Sequence, residues 1–313
     1  MINPNHVDIY YHEWHQYDDL FDVLFKIPDG VSKEQIQFHL LNDNACFKAQ
    51  INEEYPFFAG SFSAPVKSFE KEFSVDNHGL KLTFKKPEDT RWDLIFTGPV
   101  NETDIMDPQS LFEHGKLNSS QEEIDRAASM NFPPALLELT NLNKTEDEIN
   151  EIYEKAADYH DPFALFMVGM TCLRNNEINK AIEKLREAES RGDLNSKDAL
   201  GEIYSPLVEP HIIDEDVNIA LQKFNEVIEA RPIHPYALYN LALLYLNGCG
   251  VEKDVNKARE MYDKAKSIEP NIPKMEFPTE IVMKKNIKYF AIGAVVILAG
   301  ASLIYLTKRR NHK

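Results

Sequence analysis

The stretch "ALYNLALLYLNGCGVEKDVNKAREMYDKAKSIEP", residues 237–270, decides the fold of the larger part of this chain. Ala237, Leu241, Ala242 and Tyr245 recur at helical intervals and fall on one face of a helix. The turn Gly248-Cys249-Gly250 ends that helix, and Ala258, Tyr262 and Ala265 mark the face of a second. Alanines at these spacings let two helices approach closely, while the tyrosines fill the gaps between pairs. The same grammar recurs upstream. Ser196, Leu200, Gly201 and Tyr204 precede Ala220, Phe224 and Ala230, and Ala164, Val168, Gly169 and Cys172 precede Ala181, Leu185 and Ala188. First-helix markers at 164, 196 and 237 lie 32 and 41 residues apart, so the loops are unequal. "EIYEKAADYHDP" reads as the second helix of a further, degenerate pair. Gly248-x-Gly250 lacks the Lys-Ser/Thr that follows a phosphate loop, so it is a turn.

With its A-x-x-x-L-G-x-x-Y…G-x-G-V…D…K-A…Y pattern nearly complete in the last unit, this region resembles the Sel-like subclass of tetratricopeptide repeats. The resemblance covers residues 146–270 and implies a curved all-α solenoid whose concave face binds peptides or partner domains. Asn240 falls where some tetratricopeptide domains set an asparagine against a peptide carboxylate, and Tyr245 shares that helix, so both are candidate partner-binding residues. Such clamps also need several lysines and an arginine, which this acidic region does not clearly supply.

Residues 1–100 follow a different rhythm. "LFDVLFKIP", "QIQFHLL", "CFKAQI", "PFFAGSFSAPV", "EFSV" and "LKLTFKK" alternate apolar with polar positions, separated by Pro28-Asp29-Gly30, Asn42-Asp43-Asn44 and Asn77-His78-Gly79. Some seven short strands without a helical period predict an antiparallel β-sandwich. "YYHEWHQYDDLFDVLFKIP", "FFAGSF" and "LKLTFKKPEDTRWDLIF" resemble a CS domain, the sandwich of NudC proteins and of small co-chaperones of the ninety-kilodalton heat-shock chaperone. The matching positions are Trp14, Gln16, Gly60, Leu82, Lys85, Trp92 and Leu94, with Phe73 where the family carries tryptophan and Tyr17 where it carries threonine. The resemblance implies binding of a chaperone or client through one sheet face, and no catalytic site. Trp14, Gln16, Lys85 and Trp92 are the candidate partner-binding residues, although core or sheet-edge packing is the simpler reading of the two tryptophans. His12 and His15, three apart on a strand, face opposite sides and make no metal pair.

Charge and hydropathy set the remaining terms. The seven basic and no acidic residues from Ile281 onward leave a formal charge of −24 on the rest, against −17 for the whole chain. Such a surface repels nucleic acid and favours a basic or neutral protein partner. The three cysteines, Cys46, Cys172 and Cys249, form no C-x-x-C pair and read as reduced cytosolic thiols. Tyr289 to Thr307 is nineteen residues without a charge, about 28 Å of helix and close to the hydrocarbon thickness of a bilayer. Tyrosine and lysine or arginine stand at both ends.

A basic n-region followed by an apolar one is missing from the start, and six residues follow Thr307. The expectation is therefore a post-translationally inserted tail anchor that leaves the body in the cytosol, with the sequons at Asn101, Asn118 and Asn143 unused. The anchor resembles those sent to the mitochondrial outer membrane, with the endoplasmic reticulum as the alternative. Gly293 and Gly300 share one face that could pair two spans into a weak homodimer. The boundaries read 1–100 sandwich, 101–145 helical connector, 146–270 repeats, 271–285 proline-containing linker and 286–313 span with basic tail.

No paired carboxylates, Ser/His/Asp set, metal cluster or nucleotide loop stands out, so neither an enzyme nor a cofactor is expected. The reading is a membrane-anchored co-chaperone or client-binding adaptor, whose partners are the ninety-kilodalton chaperone or its clients. The alternative is an organelle-surface scaffold that assembles membrane or motor complexes without a chaperone.

Overall fold

Alternation decides the first half of the chain. In Leu20–Lys26 (β2), Phe21, Val23 and Phe25 point inward. In Gly79–Lys85 (β7), Leu80, Leu82 and Phe84 do the same, directly opposite them in antiparallel register. Their neighbours are His12–Gln16 (β1) beyond β2 and Ser68–Phe73 (β6) beyond β7, giving a four-stranded sheet of order β1-β2-β7-β6. Ile36–Leu41 (β3), Cys46–Ile51 (β4), Phe58–Phe62 (β5) and Phe96–Gly98 (β8) form a second, of order β3-β4-β5-β8. All the pairings are antiparallel. The computed structural model describes residues 3–74, 76, 78–100, 106–207 and 216–278.

Phenylalanine fills the space between the sheets. Phe21 stacks on Phe84 at 4.9 Å, Phe84 meets Phe47 edge-on at 4.9 Å, and Phe58 lies 4.6 Å from Phe96. Each such ring contributes ~1.5–3 kcal/mol by leaving water. Gly60 is required here, because a Cβ would come within 2.4 Å of the Phe96 ring.

The chain divides into two compact units, Met1–Asp161 and the remainder from Pro162. The first therefore holds the sandwich together with Pro108–Asn118 (α1), Gln121–Ser129 (α2), Pro133–Glu138 (α3) and Glu146–Ala157 (α4). α1 is fixed to the sandwich by two side chains. Asp107 caps it by accepting from the Ser110 N–H at 2.9 Å, while its other oxygen accepts from the Ala59 N–H at 3.0 Å. Gln109 grips β1, accepting from the His12 N–H at 2.9 Å and donating to the His12 carbonyl at 3.0 Å. The "connector" helices α1 to α3, and also α4 at the start of the expected repeats, are thus part of the first unit. In "SSQEEIDRAASM", Ser119-x-x-Glu122 has the spacing of a capping box and predicts a helix capped by Ser119, but α2 begins one residue later: Ser119 closes α1 in the left-handed conformation, and Ser120 is the cap. Thr145 and Glu148 form the capping box of α4.

The second unit is a helical-repeat array. Its pairs are Pro162–Arg174 (α5) with Ile178–Ser190 (α6), Leu194–Tyr204 (α7) with Val217–Ala230 (α8), and Pro235–Asn247 (α9) with Val255–Ile268 (α10). Of the expected alanines, Ala164, Ala181, Ala188, Ala220, Ala237, Ala242, Ala258 and Ala265 are fully buried, whereas Ala230, in the last turn of α8, is exposed and Val227 is the residue that packs inward there. Gly201 packs so tightly that a Cβ would lie 2.6 Å from the Phe224 ring of the partner helix. Gly248 and Gly250 have positive φ and make the expected turn.

The linker expected from residue 271 is different in its first part. Ile272 and Met275 are buried against α9 and α10, with Phe277 packed beside them at 5.5 Å from Tyr262 and 4.3 Å under Arg259. Pro270, Pro273 and Pro278 suggest a linker that stands clear of the array, but its apolar residues cover the end of the last pair. Among the described residues no helix is long and apolar enough to cross a membrane. The expected span, with Tyr289, Thr307, Gly293 and Gly300, lies outside the described residues.

Candidate functional site

Three of the four residues singled out in the sandwich meet at one place. Trp14, Gln16 and Trp92 line a cleft of about 580 Å³, with Tyr17 and Arg91 at its rim. Gln16 organises it. Its Oε1 accepts from the Trp92 N–H at 2.7 Å and its Nε2 donates to the Trp92 carbonyl at 3.1 Å, the paired bonds that a neighbouring strand would otherwise make. Trp92 is buried, 5.2 Å from Phe21, and half-buried Trp14 meets Phe21 edge-on at 6.4 Å. Aromatic rings with one wet edge suit the centre of a protein interface.

Lys85 does not take part. With Phe84 inward, the strand's alternation turns Lys85 to solvent and sends Lys86 inward. The Lys86 ammonium donates to the Thr90 carbonyl at 2.7 Å and to Gln16 Oε1 at 3.3 Å. Leu80-Leu82-Phe84 would have picked out Lys86 by parity, had alternation been carried one residue past the strand.

In the repeats, Asn240 is buried and already engaged. Its Nδ2 donates to Asp198 Oδ1 at 3.3 Å and to Glu202 Oε1 at 2.9 Å, two acids one turn apart on α7. It therefore holds an internal acidic pair and is unavailable to a peptide carboxylate. His234 approaches Asp198 at 4.0 Å, but its Nδ1 accepts from the Ala237 N–H as the cap of α9, so it faces the acid as a neutral ring. Burial holds His234 down at about 4. Burial pushes both carboxyls up, Asp198 further because Glu202 lies beside it. Glu202 Oε2 is buried without a hydrogen-bond partner. These three groups were not legible as a set, since Asn240 and the acids are about forty residues apart in sequence. Tyr245 is also engaged locally, its hydroxyl accepting from Lys257 Nζ at 2.7 Å and its ring lying 4.1 Å beneath that ammonium.

His12 and His15 separate as expected. His12 is buried between Phe25 and Phe58, where burial lowers it to about 3, and His15 is exposed. Among the described residues no three His, Cys, Asp or Glu side chains gather as ligands for a metal ion. Cys46 and Cys172 are buried thiols and Cys249 is half-buried.

No protein-family model matches the chain, and no curated protein matches it in sequence. Solved structures do resemble it in part. A Sel1 repeat protein from Oxalobacter formigenes is 24% identical over 52% of this chain and 74% of that one, with a TM-score of 0.43. A protective antigen of uropathogenic Escherichia coli with an SLR fold is 20% identical over 53% of this chain and 39% of that one, TM-score 0.44. The nuclear movement protein from E. cuniculi is 15% identical over 28% of this chain and 98% of that one, TM-score 0.24.

Proposed function

We propose that the chain is a membrane-tethered, protein-binding adaptor with no enzymatic role, whose CS-like sandwich takes a chaperone or client and whose repeats select among partners. The observation that carries this reading is the convergence of Trp14, Gln16 and Trp92 on one open cleft, a site for a protein surface. The three stacked helix pairs support partner selection, because such arrays present extended surfaces to peptides and domains. The uncharged run from Tyr289 to Thr307, flanked by lysines and arginines, supports a membrane tether with the body in the cytosol. The mitochondrial outer membrane is the favoured location and the endoplasmic reticulum the alternative, with weak pairing of spans through Gly293 and Gly300.

A second reading, an organelle-surface scaffold without a chaperone, is favoured by one observation. Asn240 is committed to Asp198 and Glu202, so it is not free to receive the carboxylate of an acidic chaperone tail. Affinity capture from cytosol separates the two, using the full detergent-solubilised chain beside a Trp14→Ala/Arg91→Glu variant. Enrichment of the ninety-kilodalton chaperone that disappears in the variant supports the adaptor. If both proteins retain one non-chaperone partner and neither holds the chaperone, the adaptor reading fails and the scaffold stands.

A further inference from the structure

β1 is an edge strand, and part of its outer side is unfilled. In an antiparallel ladder the N–H and C=O of one residue point to the same side, and successive residues alternate. The N–H and C=O of His12 are both held by the Gln109 amide, so His12, Trp14 and Gln16 direct their backbone groups away from β2. The parity is confirmed at the hairpin, where the Tyr17 N–H turns the other way and donates to the Leu20 carbonyl at 2.9 Å. Gln109 stands in for a neighbouring strand at His12. At Trp14 and Gln16, among the described residues, nothing does so.

A second feature converges on the same strand. Among the described residues of the sandwich, three large apolar side chains are exposed: Tyr11 at 36%, Tyr17 at 52% and Leu24 at 38%. Tyr11 immediately precedes β1, Tyr17 immediately follows it, and Leu24 pairs with Glu13 across the ladder. Tyr11 and Leu24 line a cleft of about 690 Å³ at the start of the strand, and Tyr17 lines the 580 Å³ cleft at its end. Both clefts carry more acid than base. Asp8, Glu13 and Glu113 stand against Lys26 in the first, and Asp18, Asp89 and Asp93 against Lys86 and Arg91 in the second.

We infer that the free edge of β1, at Trp14 and Gln16, receives an extended segment of a partner protein as an added strand, and that this segment alternates apolar with basic residues. The backbone of the segment pairs with the outward N–H and C=O of Trp14 and Gln16. Its apolar side chains rest on Tyr11 and Tyr17, which flank β1, and its lysines or arginines meet the acidic rims. This deepens the adaptor reading by naming the surface and the chemistry of what it takes.

The test uses the full detergent-solubilised chain and three short fluorescent peptides. One alternates valine with lysine, one alternates valine with glutamate, and the third is the valine–lysine peptide N-methylated along one backbone edge. The expected result is saturable binding of the first, at least about tenfold weaker binding of the other two, and at least about tenfold slower exchange of the Trp14 amide in the complex. A Tyr17→Glu variant, altered only at an exposed position beside the edge, should bind the first peptide at least about tenfold more weakly while keeping the thermal transition of the parent. Equal binding of the N-methylated peptide would overturn strand pairing, and equal binding of the glutamate peptide would overturn the charge assignment. Capture of a partner that depends on the Trp14 cleft, with no binding of the valine–lysine peptide, would sink the edge site and leave the adaptor standing.

Discussion

Gly201 shows how far a single position can govern the repeats. An alanine there would drive its Cβ to 2.6 Å from the Phe224 ring, whereas Gly98 has open space around it. We expect Gly201→Ala to lower unfolding stability by ~1–3 kcal/mol in urea titration, and Gly98→Ala to change it by under ~0.5 kcal/mol. The acidic pair gives a second expectation. Asp198 and Glu202 are raised by burial, Glu202 to about 7, so the folded state holds protons that the unfolded chain releases near pH 4 to 4.5. Their contribution is complete below about pH 4 and is lost as pH rises, for Glu202 through about 7, because the charged form is disfavoured only in the fold. Asp198→Asn keeps an acceptor for Asn240 and removes one ionisation. It should flatten the alkaline fall in melting temperature and add ~1–3 kcal/mol of stability at pH 9 relative to the parent. An unchanged slope between pH 6 and 9 would show that the pair does not titrate there. Sequence reading found the helix bearing Asn240 but not this role, since polar burial depends on which faces meet between distant helices, not on local period.

At the scale of elements, strands and helix pairs were legible because their periods are local: Leu80, Leu82 and Phe84 repeat by two, Ala258, Tyr262 and Ala265 by about four. What joins the elements was not. Asp107 reads as an ordinary helix cap, yet in the fold it also accepts the Ala59 N–H, and burial raises its carboxyl to about 7. Asp107→Ala removes a cap and leaves a buried donor unsatisfied, so it should cost ~2–4 kcal/mol, against ~1 kcal/mol for removing the exposed cap Thr145. Gln109→Ala frees the His12 backbone groups, and amide exchange of His12 should accelerate by more than about tenfold while that of β7 stays protected. The one-residue displacement of the α2 cap has a similar cause. Ser119 and Ser120 are equally good caps in isolation, and the left-handed close of α1 selects the second.

For the molecule as a whole, the two kinds of period announced a sandwich followed by repeats. The end of the array was misread because proline content describes backbone freedom and says nothing about where Ile272 and Met275 rest. Replacing Met275 by Asp should expose the end of the last pair, raising exchange in α9 and α10 while α5 and α6 keep their protection, as expected of units stabilised by nearest neighbours. Uniform loss across all three pairs would mean that the array unfolds as one block. The cleft around Gln16 carries one more consequence. The chain has two tryptophans, and both line that cleft. Light absorbed at the red edge, where tyrosine is transparent, is therefore emitted from that one place. The protein carries its own lamp beside the candidate binding site, and events confined to the repeats should leave it undimmed.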